Sequence, residues 1–338
     1  MKKRFIAIVM SVLMVLSIAG CGSQKDTGNT TNEQQGQQNK QVTFVLDWTP
    51  NTNHTGVYVA KELGYFQEAG LNVDIIQPPE GGAVPLVAAG RAEFCVTFQE
   101  ELAAALTSDS PLDVVAVGTI LQHNTSGIIS LKEDNIISPK DMEKKIYATW
   151  DSPVEKAIIK QVIEKDGGKY EAINMIPNTV TDVISALKTD VDAIWIYYGW
   201  DGVATEVKGL DTNFFAFKDI DPVLDYYTPV IAASPQYLEG NQDTAKAFLA
   251  AVAKGYEYAI AHPTEAAEIL VKHAPELDLE LITASQKYLA KEYKAEVAQW
   301  GYIDQTRWDN FYTWLADNQL IPKKLKAGEG FTNDYLPQ

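Results

Sequence analysis

Residues 42–66 read VTFVLDWTPNTNHTGVYVAKELGYF. The apolar run 42–46 has the character of a strand, and it stops abruptly at Asp47-Trp48. A polar turn over 49–54 follows, and the spacing of Val57, Val59, Ala60 and Leu63 predicts a helix from about Thr55 with one face toward a core. A carboxylate (Asp47), an indole (Trp48), an amide (Asn51) and an imidazole (His54) therefore gather at the carboxyl end of a strand. In open α/β sheets ligands bind there. Trp offers a flat apolar face, and Asp and Asn offer directional hydrogen bonds. Turn chemistry alone also favours Asn at 51 and 53, so the cluster as a whole, rather than any single residue, marks a site.

The same alternation continues outward from this stretch. Apolar runs at 42–46, 73–76, 94–98 and 114–120 read as strands, with helical stretches near 55–64, 83–89 and 99–107 between them. A second series follows Thr125-Ser126-Gly127: strands at 128–131, 145–149, 172–176, 192–196 and 214–217, and helices near 153–165 and 180–188. Residues 227–232 return as an apolar strand, and from Pro235 to about Gln319 the pattern is nearly all helical (241–261, 264–273, 279–290, 304–318). This βαβ rhythm predicts an α/β fold in two lobes, each a mostly parallel sheet with flanking helices. Lobe one is expected at 42–122 plus 228–338 and lobe two at 123–227. The chain then crosses between lobes twice, which makes a hinge and places a ligand cleft beside it.

The front of the chain is of a different kind. Met1-Lys2-Lys3-Arg4, a short apolar run to Ser17 and the small residues before Cys21 read as a signal peptide over 1–20. The residues ahead of Cys21 resemble a bacterial lipobox, which implies cleavage there and a lipid on the Cys21 sulfur. Residues 22–41 contain no apolar side chain larger than Thr and cannot offset their ordering entropy by burial. As a flexible coil of about 20 residues they would span roughly 25 Å, a tether over 21–41 holding a folded body at the outer face of a bacterial cell membrane.

The chain of 338 residues carries a net charge of −17, and −20 once the three basic residues of 1–20 are removed. Such a surface repels phosphate backbones and excludes nucleic acid as a partner. Cys95 is left without a partner if Cys21 is lipidated, and its strand-like surroundings read as a small buried hydrophobe. His54, His123, His262 and His273 are scattered with no metal-ligand spacing, so no metal and no cofactor is expected.

Four clusters fall at strand ends that face an interlobe cleft: Asp47, Trp48, Asn51 and His54; Phe98, Gln99 and Glu100; Trp150, Asp151 and Ser152; and Tyr197, Tyr198, Gly199, Trp200 and Asp201. The last holds three aromatics and a carboxylate in five residues. Stacking on each ring contributes about 1 kcal/mol beyond burial, and an aspartate accepts from an exocyclic amine or a protonated ring nitrogen. Local roles compete at each cluster: Glu100 can charge a helix N-terminus, Asp151 can cap the helix after it, and Trp200 can be core. The residues expected to touch ligand are Asp47, Trp48, Asn51, His54, Gln99, Glu100, Trp150, Tyr197, Tyr198 and Asp201.

LDWTPNTNHTGVYVAKELGYF, GRAEFCVTFQE, DAIWIYYGWDG and the terminal FTNDYLP resemble the thiamine-precursor branch of ABC-transporter solute-binding lipoproteins, related to sulfonate, nitrate and taurine binders and to the fungal pyrimidine-precursor synthase. The resemblance spans essentially all of 42–338. It implies a two-lobed, non-enzymatic binding protein that passes a formylaminopyrimidine or hydroxymethylpyrimidine to a membrane permease, and a monomer is the default expectation for a protein that docks on a permease. It also implies stacking of the ring by Trp48 and by a tyrosine of Tyr197-Tyr198, with Asp47, Asn51 and Asp201 on its amino edge. The synthase's cysteine-rich CCCFC motif has no evident counterpart here. Two other readings remain: a cofactor-dependent synthase, which needs a cleft lysine for a Schiff base, and a binder of sulfonate, nitrate or another flat heterocycle. An anion binder should present Arg, Lys or free backbone amides, and the four clusters carry acids instead.

Overall fold

Ten strands assemble into two separate five-stranded sheets in a computed structural model that describes residues 39–337. The expected signal peptide at 1–20, the lipid site at Cys21 and the tether as far as residue 38 lie outside the described residues. In chain order the strands are β1 (Lys40–Val45), β2 (Leu71–Ile76), β3 (Phe94–Thr97), β4 (Val115–Thr119), β5 (Ser126–Leu131), β6 (Ile146–Thr149), β7 (Asn174–Pro177), β8 (Ala193–Tyr197), β9 (Thr212–Ala216) and β10 (Val230–Ala233). The first sheet has the order β2-β1-β3-β10-β4 and the second β7-β6-β8-β5-β9.

Each sheet has one strand running against the other four: β10, antiparallel to β3 and β4, and β5, antiparallel to β8 and β9. Both reversed strands are the first to follow a crossing from the other sheet. β2, β3, β4, β7, β8 and β9 each follow the strand before them through a helical segment and run parallel to it, whereas β6 follows β5 through two short 3-10 turns and reverses direction. The expected parallel lobes thus hold except where the chain changes sheets.

β1 begins two residues earlier than expected, because Lys40 pairs with Leu71 and its N–H reaches Gly70 O at 2.9 Å. Lys40 and Gln41, expected to close the tether, are strand instead. Short helices at Tyr65–Glu68, Val203–Val207 and Phe217–Ile220 are not anticipated by periodicity, since none is long enough to repeat a 3.6-residue pattern.

Packing sets the lobes firmly. On the outer face of the first sheet Phe248, from the helix Gln242–Ala261, stacks on Phe94 at 4.2 Å and on Phe66 at 5.6 Å. That helix lies close against Thr55–Glu62: a Cβ on Gly255 would fall 1.9 Å from Gly56 O. The helix Gln305–Asp317 reaches both sheets' helices and loops: Phe311 stacks on Tyr226 at 3.9 Å, and Trp314 Nε1 donates to Gln161 at 2.9 Å. The terminal FTNDYLP segment lies on the edge of β4, where Ala116 N–H donates to Gly330 O and Thr332 N–H to Ala116 O, each at 2.9 Å. Cys95 is fully buried in β3, and burial pushes its thiol well above the usual range.

The two crossings, between β4 and β5 and between β9 and β10, are bonded to each other. Asn124 N–H donates to Asp225 Oδ1 at 3.0 Å, Asn124 Nδ2 to Leu224 O at 2.9 Å, and His123 Nδ1 lies 2.7 Å from Asp225 Oδ2. Glu296 and Arg307, from the C-terminal part of the chain, close the cluster: His123 Nε2 is 2.8 Å from Glu296 and the Arg307 guanidinium sits over the Tyr227 ring at 5.0 Å.

Candidate ligand-binding cleft

A cleft of ≈ 470 Å³ lies where the carboxyl ends of the parallel strands of both sheets meet the two crossings. From the first sheet come Asp47, Trp48, Thr49, Asn51, Thr52 and Asn53 after β1, and Phe98 after β3. From the second come Trp150 after β6, Tyr197 at the end of β8, and Gly199, Trp200 and Asp201 just beyond it. The crossings add Leu121, Thr125, Thr228 and Pro229, and the helix Leu279–Leu289 adds Leu289.

The β1 wall is a tightly bonded turn. Asn51 Oδ1 accepts from Asn53 N–H at 2.9 Å, and Asn51 Nδ2 donates to Thr49 O at 3.1 Å. Half of the amide's capacity therefore shapes the turn and half remains for a guest. Tyr293 Oη donates to Thr52 O, and Tyr256 Oη to Asn53 O, each at 2.6 Å. Asp47 is mostly buried, its Oδ1 2.6 Å from His54 Nε2. Trp48 is 69 % exposed and stands at the mouth.

The opposite wall is built differently. β8 runs directly into a single π-helical turn, Tyr198–Gly202, and then the helix Val203–Val207. The extra residue per turn brings Trp200 and Asp201 to the cleft together. Gly199 is needed where this turn meets the helix Leu279–Leu289: a Cβ there would fall 2.6 Å from Leu289 Cδ2. Ser285 on that helix donates to Gly199 O and, its own proton so committed, accepts from Thr52 Oγ1 at 2.7 Å. The two walls are thereby linked through one hydroxyl.

Trp150 is held by Glu155, whose buried carboxylate accepts from Tyr147 Oη (2.7 Å), Thr149 Oγ1 (2.9 Å) and the N–H groups of Trp150 and Ser152 (3.2 and 3.3 Å). Ser152, not Asp151, caps the helix Pro153–Lys165; Asp151 has a positive φ of 66° and pairs with Lys156 on the surface.

The expected set of ten ligand contacts divides. Asp47, Trp48, Asn51, Trp150, Tyr197 and Asp201 line the one cleft; His54, Gln99, Glu100 and Tyr198 do not. His54 is fully buried beneath the β1 turn. Gln99 is a strut: its Nε2 donates to Trp308 O at 3.0 Å and its Oε1 accepts from Tyr227 N–H at 2.9 Å. Tyr198 points to the outer face of the second sheet, packed on Phe214 (4.6 Å) and Tyr288 (5.2 Å), with its hydroxyl donated to Glu206. Glu100 lies behind the cleft, and its Oε2 is buried without a protein partner; burial pushes its carboxyl up to about 7. The crossing residues Leu121, Thr125, Thr228 and Pro229 also line the cleft, although nothing in their residue types marks them as ligand contacts. Thr228 Oγ1 is also buried on the cleft wall, close to the Tyr197 hydroxyl.

The electrostatics are one-sided. Asp47 and Asp201 line the cleft, and among the described residues no lysine or arginine does. Burial alone pushes Asp201 up to about 6. Among the described residues its carboxylate meets no cation or donor, so a guest bearing N–H groups would supply the missing partner.

Comparison with known proteins gives this geometry a lineage. Residues 51–266, more than half of the chain, match the NMT1/THI5-like family. Over 332 residues the chain is 27% identical to the formylaminopyrimidine-binding protein of Halalkalibacterium halodurans, covering 96% of this chain and 98% of that one. It is 24% identical over 300 residues to a 4-amino-5-hydroxymethyl-2-methylpyrimidine phosphate synthase of Legionella pneumophila, covering 88% and 92% respectively. The periplasmic aliphatic sulphonate binding protein SsuA of Escherichia coli matches with a TM-score of 0.66 at 15% identity, covering 86% of this chain and 97% of that one, a likeness of fold. The chain belongs to the NMT1/THI5-like family and has the two-lobed fold of periplasmic binding proteins.

Proposed function

We propose that this chain is the exported solute-binding component of an ABC importer, anchored through a lipid on Cys21, and that its cleft captures a thiamine pyrimidine precursor such as formylaminopyrimidine or hydroxymethylpyrimidine. The observation that carries this reading is the convergence of Asp47, Asn51, Tyr197, Trp200 and Asp201 from two sheets on one cleft without a cation. Rings there stack on a flat heterocycle, and the carboxylates accept from its amino group and protonated ring nitrogen. The family membership and the formylaminopyrimidine-binding relative support the same ligand class. Hinge closure would bring the walls together and present the loaded protein to a permease.

A synthase reading draws on the Legionella pneumophila relative. It fits the cleft poorly: none of the residues lining it is a lysine that could hold pyridoxal phosphate as a Schiff base. The sulfonate reading meets the same acidic walls.

Calorimetry of the purified protein with formylaminopyrimidine should give saturable heat at one site, lost in Trp200→Ala, and no heat with an alkanesulfonate. Heat with the sulfonate and none with the pyrimidine would overturn the assignment. Fatty-acid labelling in cells should mark the wild type and not Cys21→Ala; label persisting in the variant would remove the anchor.

A further inference from the structure

His54 was expected to touch ligand, and instead it is completely buried, with both ring nitrogens occupied. Its Nδ1 lies 3.2 Å from Asn51 N, a backbone amide that can only donate. That nitrogen must therefore be an acceptor and carry no proton. The ring proton sits on Nε2, 2.6 Å from Asp47 Oδ1, and is donated to the carboxylate. The imidazole is neutral and ties Asp47, at the end of the strand, to Asn51 within the turn. A further bond, His54 N–H to Asn51 O at 2.9 Å, fastens the same loop from the backbone side.

We propose that His54 is a positioning residue: a neutral, Nε2-protonated imidazole that fixes the Asp47 carboxylate and the Asn51 turn in the geometry the ligand meets. This rests on the reading of the cleft as an aminopyrimidine site. Two features make it more than a buried, satisfied histidine. First, it bonds two residues of the cleft wall, from opposite ends of one ring, and nothing outside the turn. Secondly, it takes only one oxygen of Asp47. Oδ2 is left for the guest, held at a fixed angle by the bond to Oδ1.

Two replacements separate the ring's two bonds. In His54→Gln the side-chain amide nitrogen reaches about where Nε2 lies and keeps the donor to Asp47. In His54→Asn the amide oxygen reaches about where Nδ1 lies and keeps only the acceptor for Asn51 N–H. Formylaminopyrimidine affinity should stay within about threefold of wild type in His54→Gln and fall at least about tenfold in His54→Asn, a loss of about 1.4 kcal/mol. In an Asp47→Ala background the two variants should become indistinguishable. Imidazole ¹⁵N resonances of the wild type should show a pyrrole-like Nε2 and a pyridine-like Nδ1. Equal losses in Gln and Asn variants that follow their melting temperatures would overturn the proposal, and so would a proton on Nδ1. If the wild type binds no aminopyrimidine, the ligand assignment fails while the ¹⁵N spectrum still decides the orientation of the ring.

Discussion

The two walls of the cleft hold their carboxylates in opposite ways. Asp47 is supported from behind by a fully buried imidazole, in a turn braced by the Asn51 side-chain amide and by the His54 ring. Asp201 has no such support: it sits half-buried on a π-helical turn, and desolvation alone lifts it to about 6. One wall holds its carboxylate in place before a ligand arrives, and the other holds a partly desolvated carboxylate that a donor on a ligand would stabilise. In a binding protein that must load and unload, the first wall supplies geometry and the second supplies selectivity for a donor.

Removing each carboxylate should expose this difference most strongly. Asp47→Ala strands the buried His54 N–H, so it should weaken ligand binding and also destabilise the free protein by about 1–3 kcal/mol. Asp201→Asn should weaken binding at least about tenfold, in line with about 1.5–3 kcal/mol for a charged hydrogen bond, yet stabilise the free protein. The sign follows from linkage. The folded carboxyl titrates at about 6, above its unfolded value near 3.9. The native state therefore binds more protons between those values, and stability falls as pH rises through that window. Above pH 6 the wild type should melt below Asp201→Asn, and its affinity for an aminopyrimidine should decline as pH falls through 6. Parallel melting and calorimetric series from pH 4.5 to 8 check both; a free-state loss of stability in Asp201→Asn above pH 6 would erase the contrast.

A smaller effect is expected where the walls touch. Gly199→Ala forces a methyl against Leu289 and disturbs the Ser285 bridge from Thr52 to Gly199. Overpacking of this kind destabilises by about 1–3 kcal/mol. Denaturant midpoints should fall and affinity with them, whereas unchanged midpoints would mean that the π-turn is free to move away from the helix.

The smallest effect belongs to the hinge. The hydrogen bond to Asp225 raises the His123 pKa against the opposing effects of burial and Arg307, and Glu296 raises it further. A raised folded pKa contributes stability that is complete below the unfolded value near 6.5 and is lost as pH rises through the folded value. His123→Gln should therefore differ most from wild type in melting temperature near pH 6 and converge with it by about pH 9. A gap that widens with pH would contradict the sign.

Much of this was legible in the sequence, for identifiable reasons. The helix over 153–165 was readable to its ends because Pro153 begins it and Gly167-Gly168 follow it. The β1 turn was readable because an apolar run broke into Asp47-Trp48. The choice between Tyr197 and Tyr198 was not readable. β8 is buried on both faces, with Trp195 on the inner side and Ile194 and Ile196 on the outer, so no polar alternation marks the direction of either tyrosine. His54 and Gln99 are polar residues near a site whose partners lie a few residues away, at Asp47 and Asn51, or more than a hundred residues away. Sequence proximity pointed to the cleft, and the hydrogen bonds placed both behind it. The π-turn that delivers Trp200 and Asp201 together departs from the 3.6-residue period on which helix reading depends.

A crystal structure with formylaminopyrimidine at saturating concentration tests the central claim most directly. The account predicts the ring between the β1 turn and the Tyr197–Trp200 wall, its amino group within hydrogen-bond distance of Asp201 or Asp47 Oδ2. A ring bound elsewhere, or one whose nitrogen atoms face away from both carboxylates, would contradict it.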